Sequence, residues 1–155
     1  MFVDLCGNQE LLRTAEGGAA LAQLCGGCQE SLQNIYLSDT GATPEALRAM
    51  AEAGPFLALE VVALSGNQDL LRTAEGGAAL AQLLGGCQES LRSITLENTG
   101  ATPQALRAMA AAGPWGAWAS MDLSGNQDLL CTAEGGAALA QLRAPRQLQG
   151  EPPEP

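Results

Sequence analysis

The chain has 155 residues, 46% of them apolar but only 3% aromatic, and a formal net charge of -10. Its basic residues are all Arg, with no Lys and no His. That acidity excludes the basic stripe by which proteins hold nucleic acid. The missing side chains exclude a Schiff-base lysine, a P-loop of the usual form and a histidine general base or zinc ligand.

The chain order then alternates short strands with helices. VDLCGN (3–8) predicts a first strand with Leu5 inward. TAEGGAALAQL (14–24) predicts a helix with Glu16 in its first turn, where a carboxylate favours the helix dipole. In LQNIYLSDT (32–40), alternation puts Ile35 and Leu37 on one buried face. In ATPEALRAMAEAGP (42–55), Thr43 is suited to cap the helix and Pro44 to begin it. Leu47, Met50 and Ala51 form its apolar stripe. Gly54 is expected as a left-handed C-cap, with Pro55 blocking continuation.

LEVVALSGN (59–67) repeats the strand, with Leu64 facing the core and Ser65 facing solvent. The next helix (73–84) carries the stripe Leu80, Leu83, Leu84. Its paired Gly76 and Gly77 each cost about 1 kcal/mol relative to Ala, a cost that close backbone packing would explain. LRSITLENT (91–99) is a fourth strand. ATPQALRAMAAAGP (101–114) repeats the capped helix at Thr102, Pro103, Leu106, Met109, Ala110, Gly113 and Pro114. WASMDLSGN (118–126) is a fifth strand, and a last helix follows over 132–142. There the stripe breaks, because Arg143 takes the place of Leu84. RAPRQLQGEPPEP (143–155) reads as a disordered, Pro-rich, acidic tail.

Gly7, Gly66 and Gly125 open near-identical strings 59 residues apart (66 − 7 = 125 − 66). Leu5, Leu37, Leu64, Leu96 and Leu123 are spaced 32, 27, 32 and 27, so each long unit is a pair of unequal ones. The shared pattern is apolar-x-x-apolar-x-Leu-x-x-Asn/Thr. It resembles the leucine-rich repeat in its longer, ribonuclease-inhibitor-like form, over residues 1–142.

The resemblance implies an α/β, right-handed solenoid, a horseshoe fragment with parallel strands on the concave side and helices on the convex side. It implies that Asn8, Asn67 and Asn126 bond the backbone of the turn leaving each strand. Thr40 and Thr99 stand at the same position and are expected to leave looser turns. Each unit is too small to bury its own core, so stability comes from its neighbours. The rival, a closed barrel, needs about eight strand–helix units. With an incomplete first pattern and a broken last stripe, the chain reads as part of a longer repeat array.

Cys25–Cys28 (CGGC) invites a redox or zinc role. Cys25 aligns with the stripe residue Leu84, however, and no second CxxC completes a ligand set. A buried thiol is the expectation. Cys6 aligns with Ser65 and Ser124, and Cys131 with Arg13 and Arg72, so both are expected to be exposed. The five cysteines are an odd number without secreted-framework spacing, which favours a reducing, intracellular setting. No apolar run reaches the roughly 18 residues of a membrane span, and MFVDLCGNQE lacks the marks of a signal peptide. EGGAAL and GGCQES are Gly-rich but never continue to a phosphate loop. Glu10, Asp69 and Asp128 recur at one loop position, without the oxygen density of a calcium site.

No catalytic, cofactor or metal residue is expected. The outward strand positions are the candidate partner surface: Asp4, Asn34, Tyr36, Thr95, Glu97 and Asp122, with Asp39 at the edge. Tyr36 is its anchor. The expected function is a non-enzymatic protein–protein interaction scaffold for a basic partner. The alternatives are a regulatory repeat domain like those of GTPase activators or innate sensors, or a partial gene product without independent function.

Overall fold

Five strands form where the apolar-x-Leu pattern falls. In a computed structural model of the chain, β1 is Phe2–Asp4, β2 Asn34–Tyr36, β3 Val61–Ala63, β4 Ser93–Thr95 and β5 Ser120–Asp122. The structure describes residues 1–112 and 120–143, the latter without the side chains of Asp128, Leu130 and Arg143. The expectations at Gly113, Pro114 and Trp118, at the Arg143 side chain and for the tail over 144–155 lie outside the described residues.

The strands make one parallel sheet in chain order, β1-β2-β3-β4-β5. Phe2 pairs with Asn34, Asn34 with Val61, Val61 with Ser93 and Ser93 with Ser120. Those partners are 32, 27, 32 and 27 residues apart (34 − 2, 61 − 34, 93 − 61, 120 − 93), so the leucine spacing is the sheet register. β1 and β5 are the two edges, and the sheet is not closed into a barrel.

The connections are helical. They are α1 (Ala15–Cys25), α2 (Pro44–Ala51), α3 (Ala74–Leu83), α4 (Pro103–Ala112), the single turn α5 (Gln127–Leu130) and α6 (Ala133–Arg143). Helices pack in chain order too: α1 on α2, α2 on α3, α3 on α4, and α4 on α6. One core joins the layers, with Ile35, Val62 and Ile94 from the strands and Leu47, Leu80 and Leu106 from the helices. The predicted stripes face it, since Leu83, Leu84, Met50, Met109 and Ala110 are buried, while Ala51 is half-buried. Leu37, Leu64 and Leu96 are fully buried, whereas Leu5, beside the edge strand, is only half-buried.

The glycine pairs have a steric cause. A methyl group on Gly18 would strike the backbone of Ala46, and one on Gly77 the backbone of Ala105. These glycines let α1 settle onto α2 and α3 onto α4. The first glycine of each pair, Gly17 or Gly76, passes equally close to the carbonyl of Leu11 or Leu70. Gly136, in α6, meets nothing within 4 Å.

Two expectations are overturned. The Thr turns are not loose. Thr40 and Thr99 are wholly buried, and their hydroxyls donate to Leu37 O and Leu96 O, both at 2.8 Å. The following unit supplies the rest. Asn67 Oδ1 accepts from the amides of Thr40 (3.0 Å) and Ala42 (2.9 Å), and its Nδ2 donates to Leu37 O (3.0 Å) and Leu64 O (2.7 Å). Asn126 does the same for Thr99, Ala101, Leu96 and Leu123. Each Asn thus ties its own turn to the preceding Thr turn, which is why one Asn per pair of units suffices.

Gly54 is not left-handed either. α2 tightens at its end through Ala53 N–H to Met50 O and Gly54 N–H to Ala51 O, both 3.0 Å, in the right-handed sense. The left-handed positions fall instead in the turns after the strands, at Gly7, Gly41, Gly66, Gly100, Gly125, Asp39 and Asn98. Thr43 and Thr102 do cap their helices, accepting from Ala46 N and Ala105 N at 3.3 Å.

Candidate functional site

Three-residue strands expose two side chains each on the face away from the helices. That face carries Phe2 and Asp4, Asn34 and Tyr36, Val61 and Ala63, Ser93 and Thr95, then Ser120 and Asp122. All are half-buried or exposed, while Ile35, Val62 and Ile94 between them are buried.

Of the seven residues singled out from sequence, five lie on this face: Asp4, Asn34, Tyr36, Thr95 and Asp122. Glu97 adjoins them, two residues past β4, and its amide donates to Ser65 Oγ at 3.2 Å. Ser65 is therefore half-buried and bonded, not simply solvent-facing. Asp39 is not on the face. It sits in the turn after β2 with φ +55°, its carboxylate against Gly66. There it borders a shallow cleft of about 480 Å³ with Gln9, Arg13, Thr43 and Asp69. The local arginines are already paired, Arg13 with Glu10 at 3.3 Å and Arg72 with Asp69 at 2.9 Å.

Phe2 also stands on this face, outside the residues that the repeat pattern singles out. Its ring is 66% exposed and meets Tyr36 edge-on, centroids 6.5 Å apart and planes at 69°. Such pairs favour the positive ring edge over the negative face. The signal was available: counting back by two from Asp4 puts Phe2 on the same face.

The face has two chemical halves. β1 to β3 present Phe2, Tyr36, Val61 and Ala63. β4 and β5 present Ser93, Thr95, Ser120 and Asp122, with Glu97 alongside. Asp122 raises the Glu97 pKa above its ordinary value, first by hydrogen bonding between the carboxyl groups and then by like charge. The Asp122 pKa is lowered, first by the Ser124 hydroxyl (2.6 Å), then by the Ser124 amide (2.9 Å) and by Glu97. The two directions agree: of the pair, Asp122 is the more readily ionised. The Asp4 pKa is lowered by the Cys6 amide, which donates to it at 3.1 Å. None of the outward strand positions is Lys or Arg.

The cysteines divide by burial. Cys25 and Cys87 are buried, Cys28 is half-buried, and Cys6 and Cys131 are exposed, all as free thiols. Burial pushes Cys87 up to about 12 and raises Cys25 as well. Among the described residues, no three His, Cys, Asp or Glu side chains are grouped to hold a metal ion. No described helix is long and apolar enough to cross a membrane.

No protein-family model matches this chain, and no curated protein matches it. What the chain can do therefore rests on its own surface. An open sheet face with an aromatic pair at one side and paired carboxylates at the other can hold a partner by apolar contact and by charge.

Proposed function

We propose that this chain is a leucine-rich-repeat interaction module that scaffolds a protein partner on the open face of its sheet. The observation that carries this is the edge-on pair of exposed Phe2 and half-buried Tyr36 standing beside Asp4, with no Lys or Arg at the outward strand positions. Aromatic side chains in desolvated contacts dominate protein interfaces. Complementary charge speeds encounter and disfavours acidic partners. The 59-residue period and the Asn turns that bind neighbouring units support the repeat family, in which strands line the concave side of a right-handed solenoid.

Affinity capture with the wild-type chain supplies the partner, and variants map the contact. Tyr36→Ala should weaken binding by more than about 1 kcal/mol. Arg48→Ala, on α2, should leave it unchanged. Association should slow as salt rises towards physiological strength, where the Debye length is about 8 Å. Salt-insensitive binding that survives Tyr36→Ala and is lost with Arg48→Ala would place the interface on the helices and end this proposal.

A further inference from the structure

The open face is wider than its strands are long. Three residues span about 10 Å along a strand, and five strands span about 19 Å across the sheet. Its chemistry also changes across the strands. The row of register partners Asp4, Tyr36, Ala63, Thr95 and Asp122 runs from one edge to the other. Exposed Phe2 and half-buried Tyr36 form an aromatic ledge on β1 and β2. Ala63 and Thr95 are low relief in the middle. Asp122 is the register partner of Thr95, so Glu97, two residues past Thr95, brings a second carboxylate beside it at the far side.

From these observations we infer that the face takes an extended, basic peptide segment lying across the strands, with a large apolar side chain against Phe2 and Tyr36 and an arginine against Glu97 and Asp122. This rests on the proposal above that the face binds protein. β2 and the β4–β5 pair are two to three strand spacings apart, or about 12 Å. An extended chain advances about 3.3 Å per residue, so the apolar residue and the arginine are about four positions apart. The guanidinium suits the pair because its planar fork donates to two carboxylate oxygens at once. Docked there, it offsets the like-charge repulsion between Glu97 and Asp122. The small side chains at Ala63 and Thr95 let the intervening peptide backbone lie close to the sheet. An acidic or purely apolar segment would leave the carboxylates unpaired.

The test uses soluble peptides on a Gly-Ser background, each with one Trp and one Arg separated by about one, four or eight positions. Binding to the full chain is read by NMR titration of its backbone amides, which registers millimolar affinity. The four-position peptide should bind about tenfold more tightly than the other two. Tyr36→Ala should remove that advantage, as should the double variant Glu97→Gln, Asp122→Asn. Changing the peptide Arg to Ala should cost affinity with the wild-type chain and nothing with the double variant. Equal affinities at all three spacings, or no shifts on the strand residues with any peptide, would overturn the inference. The broader proposal fails on a different result, a captured partner indifferent to Tyr36→Ala.

Discussion

Asn67→Ala should be among the most damaging single changes outside the apolar core. The Asn67 side chain is 1% exposed. Its removal strips the amides of Thr40 and Ala42 of their acceptor and the carbonyl of Leu64 of its side-chain donor. The Leu37 carbonyl keeps the Thr40 hydroxyl at 2.8 Å. Three buried groups are thus deprived, each at about 1–3 kcal/mol. Water entering the vacated space favours the low end, so the expected loss is about 3 kcal/mol. That is a large share of the roughly 5–15 kcal/mol typical of a domain. Asn8 provides the control, because it holds the same repeat position. It is exposed, and its Nδ2 donates to Leu5 O at 2.7 Å. Water can replace that bond, so Asn8→Ala should cost about 0.5–1.5 kcal/mol. Urea unfolding followed by circular dichroism gives the two values. Hydrogen exchange at the Thr40 and Ala42 amides locates the damage. Equal losses from the two variants, or unchanged exchange at those amides, would refute the idea that Asn67 links adjacent units.

Gly77→Ala should destabilise the chain, because its methyl would meet the Ala105 backbone. Gly136→Ala, in open space, should instead stabilise α6 by up to about 1 kcal/mol, and thermal melts of the pair decide this. A thiol reagent under native conditions should label Cys6 and Cys131 first and leave Cys25 and Cys87 until unfolding, while Cys25→Leu should leave stability unchanged or improved. Asp122→Asn should return the Glu97 pKa towards its ordinary value, as followed by NMR of the Glu97 carboxyl carbon. The sign for stability follows from the direction of each shift. The raised Glu97 pKa contributes stability present below the ordinary glutamate pKa and lost as pH rises through the raised one, whereas the lowered Asp122 pKa contributes in the opposite sense, lost as pH falls. The variant should lack the decline with rising pH.

The strands and their register were legible because the period fixes both. Five leucines at alternating intervals of 32 and 27 residues are spaced as the register partners are. The helix stripes were legible because a 3.6-residue period admits one buried face. The turns were not. Whether Thr40 leaves a loose turn depends on Asn67, 27 residues further on, and no local pattern reveals that bond. Gly54 followed the usual rule for a helix stop, but the chain closed its last turn with right-handed bonds instead. On the candidate surface, alternation placed Asp4, Tyr36, Thr95 and Asp122 correctly. Asp39 escaped it because the backbone turns left-handed there and the period of two ends. Phe2 lies outside the repeat pattern, which begins at Val3. The proximity of Glu97 to Asp122 joins residues 25 positions apart across the β4–β5 pairing, so it required the register.

Oxidative footprinting of the chain with its captured partner tests the proposed interface most directly. Four large side chains serve as probes: Phe2 (66% exposed) and Tyr36 on the open sheet face, and Leu24 (64%) and Leu57 (52%) away from it. Partner binding should protect Phe2 and Tyr36 from modification and leave Leu24 and Leu57 as reactive as in the free chain. Protection of Leu24 or Leu57, with Phe2 and Tyr36 still modified, would contradict a partner seated on the sheet.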